Sequence, residues 1–346
     1  MFRKMKIGGK LSLAFGVLLL IFAGVGAMSW MNMSGVQQEA RSLAERYVPE
    51  LVVAANVQNT VQTMMYEVRG YNFTYSKSYL DAGRNAVVEA QKALKEASDL
   101  GEKYPTLVAL REGAAKAVAA LDEYVVLIDR TETAVNAIDG ARTSGNESAR
   151  LFMENAEAYL ASQNQAMLHA LRNNEPREET EDRLQKITLA NEIIDAGNAV
   201  RLANYMGQAT RDVVRFEEGM KNFDEIDSLV KKLRADTAQK VNLDQLDAVQ
   251  KAAGEYKTAM EKTLASWREL DEINTRRVET GRVILTLADQ VVHAAETQSM
   301  KITGQAVSSL GSTILVILIA TVVAVLFGGI VAFLMTRSLT VPLKRV

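Results

Sequence analysis

Thr313–Met335 reads TILVILIATVVAVLFGGIVAFLM, 23 residues without a charge. At about 1.5 Å rise per residue, a helix of this length crosses the ~30 Å hydrocarbon core of a bilayer. A helix on the surface of a soluble domain needs one apolar face; a helix apolar all round is expected to face lipid. Leu11–Trp30, LSLAFGVLLLIFAGVGAMSW, repeats the pattern near the other end. A cleaved signal peptide is the competing reading there. The run is longer than an ordinary signal-peptide apolar region, and GVGAMSW is a poor small-x-small cleavage site, so a retained span is expected. Arg3, Lys4, Lys6 and Lys10 precede the first span; Arg337, Lys344 and Arg345 follow the second. Basic flanks stay cytoplasmic. The expected order is a cytoplasmic N-terminus (1–10), a first span (11–30), an external domain (31–312), a second span (313–335) and a cytoplasmic tail (336–346). In a Gram-negative cell this places the chain in the inner membrane and the external domain in the periplasm.

The net charge of −2 argues against a nucleic-acid partner. With no cysteine there is no disulfide, thiol nucleophile or thiolate metal site. His169 and His293 lie far apart in sequence and offer little for a metal centre or a Ser–His pair. The acids are scattered, without the spacing of a calcium loop. No catalytic residue, metal or cofactor is expected, and an enzyme is disfavoured. The methionines read as packing, and the Asn72-Phe-Thr and Asn146-Glu-Ser sequons as chance matches.

Helical periodicity fills the external domain, so the fold expected is all-α. Breakers divide it into six helices. The first continues out of the membrane to Tyr75–Ser76, and the second runs from Lys77 to Leu100, with Gly101 and Pro105 as the turn. The third runs from Thr106 to Arg172. RNNEPREE, 172–179, is a polar turn with Pro176 at the next helix start. The fourth reaches Glu218, the fifth spans Phe223–Ala238, and the sixth runs from Leu243 into the second span. By rise, the third helix climbs and the sixth descends roughly 100 Å, and the others cover roughly 25–65 Å, alternating in direction. Two long helices shared by shorter pairs predict two stacked four-helix bundles. A long-short-long pattern repeats weakly, with DEY at 122–124 echoed by GEY at 254–256.

Polar residues that interrupt the apolar stripes are the candidates for binding. The sixth helix reads Trp267, Leu270, Asn274, Arg277, Gly281, Ile284, Ala288, with an amide and a cation where leucines belong. In MMYEVRGYNFTY, 64–75, Arg69 shares a face with Met65 and Phe73. Tyr124 and Thr131 interrupt the third helix. Rise places Arg69, Tyr124, Thr131, Asn274 and Arg277 at a common height of roughly 55–65 Å, with Tyr66 and Tyr71 beside them. Two arginines facing one pocket suit a ligand with one or two carboxylates. The alternative for Arg69 is an ion pair with Glu67 and a solvated head group. A weaker set lies in the upper bundle: Asn198, Arg201 and Tyr205 on the fourth helix, Arg142 on the third and Tyr256 on the sixth. Its alternatives are a polar layer that fixes register or a dimer contact.

The tail Arg337-Ser-Leu-Thr-Val-Pro-Leu-Lys-Arg-Val346 resembles the first residues of a HAMP linker, and KIGGKLSLAFGVLLLIF resembles the start of methyl-accepting chemotaxis proteins. By architecture and length, the segment between the spans is similar to the helical bimodular sensor domain of chemoreceptors and some sensor histidine kinases. The resemblance implies a homodimeric transmembrane receptor for small organic acids, with a site possible in each module. It also implies cytoplasmic signalling partners reached through a further C-terminal part. A kinase output and a module that docks a periplasmic binding protein stay open beside the chemoreceptor.

Overall fold

The computed structural model describes residues 6–343. Arg3, Lys4, Lys344 and Arg345 of the basic flanks, and the last three residues of the HAMP-like tail, lie outside them. The described residues are helical, without a strand. In order they form α1 (Ile7–Ser42), a π-helical turn (Leu43–Tyr47), α2 (Val48–Thr74), α3 (Lys77–Lys103) and α4 (Val108–Arg172). Then come α5 (Arg177–Thr210), α6 (Val213–Met220), α7 (Asn222–Ala235) and α8 (Lys240–Leu343).

The π turn has an identifiable cause. Pro49 has no N–H to give to the carbonyl four residues back, and its ring crowds that carbonyl. The backbone widens instead, and the Val48 N–H donates to the Leu43 carbonyl five residues away.

Two boundaries differ from the sequence expectation. Gly101 sits inside α3, and the turn lies at Tyr104–Thr106. Gly101 supplies room, not a bend: a Cβ there would meet the Arg111 Cα at 3.2 Å. The expected fourth helix is broken at Arg211, whose φ of 54° is left-handed. Asp212 then caps α6 by accepting from the Arg215 N–H at 3.1 Å. The break lets α6 fold back on α5, where Gly207 lies against the Phe216 ring and Gly219 against the Ala203 methyl. Apolar periodicity continues through residue 211 and hides the break.

The chain divides into two compact units. Unit 1 comprises Met1–Glu67, Asp81–Asp122 and Gly281–Val346. Beyond its two long apolar segments it is a four-helix bundle of α2, α3, the first part of α4 and α8. Its core is small and apolar: Ala54 and Val57, Leu94 and Ala97, Leu110 and Ala114, and Ala288 and Val291, a pair from each helix. Burying such faces at about 25 cal/mol per Å² is the dominant favourable term in its stability. The apolar segments of α1 and α8 are long enough to cross a membrane and are almost unburied. The Asn32 amide donates to the Thr313 hydroxyl at 3.0 Å, tying the two helices where the second apolar run begins.

Unit 2 comprises Val68–Leu80 and Glu123–Thr280. It packs α5, α6 and α7 with the remaining parts of α4 and α8, and its core carries more rings. Phe216 tilts against Trp267 at 4.8 Å, and Phe223 meets the Tyr256 ring edge-on at 5.5 Å. Gly197 leaves the space that the Phe152 ring fills.

Candidate ligand site

The two arginines expected at one level have opposite fates. Arg277 is 2 % exposed. The buried α8 stripe carries it inward, and its guanidinium donates to the Thr131 hydroxyl at 3.0 Å and the Asn274 carbonyl oxygen at 2.9 Å. Tyr124, itself buried, is the third neighbour. Burial pushes the Tyr124 hydroxyl up to about 12, against the downward pull of the Arg277 charge. Burial likewise lowers the Arg277 pKa. This is a cation enclosed by neutral partners, joining α4 to α8. Thus Tyr124, Thr131, Asn274 and Arg277 come together.

Arg69 does not join them. It is exposed, 5.9 Å from the Phe73 ring centroid, and Tyr66 is exposed as well. The buried stripe of α2 is Val61, Met64, Val68 and Tyr71, one step round the helix from Met65, Arg69 and Phe73. Four apolar residues at that spacing outweigh one methionine and one phenylalanine, so the arginine turns to water. The division into a lower and an upper set does not follow the two units. Val68–Leu80 belongs to unit 2, so all of the lower set except Tyr66 lies in the same unit as the upper set.

Unit 2 opens a cleft of about 1730 Å³. It is lined by Tyr71 of the lower set and by all five of the upper set: Arg142, Asn198, Arg201, Tyr205 and Tyr256. The stripe that carries Asn198, Arg201 and Tyr205 is the exposed face of α5; the buried face is Ala190, Ile193, Ala196, Gly197 and Val200. These residues therefore face an open groove and not a bundle core.

Charge in the cleft is unevenly satisfied. Arg142 pairs with Asp139 at 2.5 Å, and Arg150 with Glu147 and Glu154. Arg201 reaches only the Asn198 carbonyl oxygen, at 3.3 Å. Arg211 donates to the backbone carbonyls of Asn72 at 2.7 Å and Phe73 at 3.0 Å. Among the described residues, neither Arg201 nor Arg211 has a carboxylate partner. Gln208 donates to Asn204 at 2.7 Å, and Asn204 donates to the Tyr256 hydroxyl at 2.9 Å. That hydroxyl, pushed up to about 12 by burial, keeps its proton at neutral pH and has it free to donate.

Sequence reasoning missed Arg211, Asn204, Gln208 and Tyr75. The signal for Arg211 was local: an arginine directly before Asp212, with Val213 opening the next helix, is a helix stop followed by a helix start.

Residues 4–124 match the model of a family described as a four-helix-bundle sensory module for signal transduction. The match begins in the N-terminal segment, takes in α1 to α3 and ends in α4 at Tyr124, so its folded part is three of the four helical segments of unit 1. It supports a sensor of the methyl-accepting chemotaxis type. No curated protein matches the chain.

Proposed function

We propose that the chain is a transmembrane chemoreceptor of the helical bimodular type, which binds a small carboxylate in the unit 2 cleft outside the cytoplasm of a bacterial inner membrane. The observation that carries this reading is Arg201, a guanidinium without an acid partner beside Asn198 and the free proton of Tyr256. A carboxylate placed there accepts charge-assisted bonds from the first and a neutral one from the last. The ligand must bind the two signalling states with different affinity, and α8, continuous from the cleft into the second span, carries the difference toward a HAMP-type linker. Two copies pair through the exposed heptad Val52, Asn59, Tyr66 and Phe73 of α2, where Asn59 sets register. That role also accounts for Tyr66 facing outward.

Calorimetry on the whole chain in nanodiscs, with acetate, succinate and benzoate as ligands, tests the reading. At least one acid should bind, and Arg201→Ala should weaken it roughly tenfold or more, the value of one charge-assisted bond. Binding of none of the three, or binding indifferent to Arg201, overturns it.

A further inference from the structure

The end of α2 and the end of α5 meet in an unusual joint. Both helices close on a left-handed residue that is not glycine, Tyr75 (φ 57°) and Arg211 (φ 54°). Such residues are strained and persist where surrounding contacts hold them, often at ligand clamps. Here each holds the other. The Arg211 guanidinium lies 4.9 Å from the Tyr75 ring centroid and 5.5 Å from that of Phe73. It also caps two carbonyls at the C-terminus of α2, the negative end of a helix dipole.

The joint is polar and incompletely satisfied. The Asn72 side chain is 8 % exposed, and its carbonyl oxygen has no hydrogen-bond partner. The Tyr75 hydroxyl is buried and also lacks one. Buried polar groups of this kind cost stability and are rare without a reason. Tyr75 and Arg211 line the cleft. A cation and, buried beside it, an unused hydroxyl donor thus belong to residues that line the groove already offering Arg201.

We propose that this joint is the carboxylate-binding end of the cleft, and that Arg211 is a latch drawn from the α2 carbonyls onto the ligand. The inference rests on the carboxylate reading above. An anion is the stronger acceptor, so the guanidinium turns from the neutral carbonyls to it, and the Tyr75 hydroxyl donates to the second carboxylate oxygen. The last turn of α2 loses its cap as the ligand gains its partner. Binding and capping compete for one side chain, so they are coupled reciprocally. The message then leaves through α2, the helix that leads back through the π turn to α1, as well as through α8.

Hydrogen exchange and calorimetry on the whole chain in nanodiscs test this, with acetate, succinate and benzoate as probes. Whichever acid binds should speed amide exchange at residues 71–75. Arg211→Gln should produce the fast exchange without ligand and weaken binding roughly tenfold. Tyr75→Phe should weaken binding without lowering the melting temperature, because its hydroxyl has no partner to lose. Arg211→Lys keeps the charge and guards against misfolding of the Gln variant; it should bind with intermediate affinity. If an acid binds the wild type but neither affinity nor exchange responds to Arg211, the latch is overturned and the carboxylate reading stands. If no acid binds, both fall.

Discussion

The two units solve the same packing problem with different materials. In unit 1 the helices meet through alanine and valine, and the core void lined by Ala54, Leu94, Ala114 and Ala288 is about 20 Å³. Unit 2 has rings, a buried cation and a cleft nearly two orders of magnitude larger. Small side chains let helices approach closely and leave nothing to rearrange. Rings and partly satisfied polar groups leave surfaces that a ligand can complete. Close packing is thus concentrated in one unit and open, polar surface in the other, although α4 and α8 contribute to both.

The contrast can be broken most sharply at Arg277. Arg277→Ala strands Thr131, Asn274 and Tyr124 around a cavity, and should cost about 2–5 kcal/mol in chemical denaturation. Arg277→Met fills the volume and should cost less. An Arg277→Met variant as stable as the wild type would mean that the polar layer contributes nothing beyond its bulk.

Unit 1 has its own exception, Glu50, a buried acid whose pKa burial raises from 4.5 to about 7. The sign follows from linkage. Below pH 4.5 the group is protonated folded and unfolded, and its contribution is fully present. That contribution falls as pH rises through about 7, where the folded form must ionise. Melting temperature should therefore drop between pH 4.5 and 7.5, and Glu50→Gln should flatten the slope. A Glu50→Gln profile that parallels the wild type would assign the slope elsewhere.

Glycines sharpen the comparison on a smaller scale. A Cβ at Gly219 of unit 2 would overlap the Ala203 methyl, which is fixed to the backbone, and should cost about 1–3 kcal/mol. At Gly281 of unit 1 the added Cβ meets the Met65 sulfur at 2.6 Å, at the end of a flexible chain. Gly281→Ala should be within about 1 kcal/mol of neutral, helped by helix propensity. Thermal melts of the two variants decide it. The smallest effect belongs to Arg69→Ala: being exposed, it should move stability by less than about 0.5 kcal/mol and leave acid affinity unchanged.

Legibility followed the strength of the pattern. The two long apolar helices, the two shared long helices and the inward turn of Arg277 were readable, because each rests on a long run of apolar residues at one period. Arg69 was misread because Met65 and Phe73 supplied only a short stripe, while Val61, Met64, Val68 and Tyr71 supplied a better one. Asn198, Arg201 and Tyr205 share a face as expected, but sequence alone does not separate a core face from the wall of an open groove. Arg211 was missed for another reason, since its one local signal, the helix stop before Asp212, shows a break and not a role. Its role depends on a helix break and on a carbonyl pair 138 and 139 residues away, and neither leaves a periodic trace.

The π turn before Pro49 carries one residue more than an α-helical turn of the same height. Each residue of an α-helix advances the azimuth by about 100°. That single extra residue therefore fixes the phase between the apolar run of α1 and the bundle-facing side of α2. A helix with a movable phase can rotate its membrane end without shifting along its axis. Pro49 pins the defect in place, so the rotation of α1 relative to α2 is written into one missing N–H.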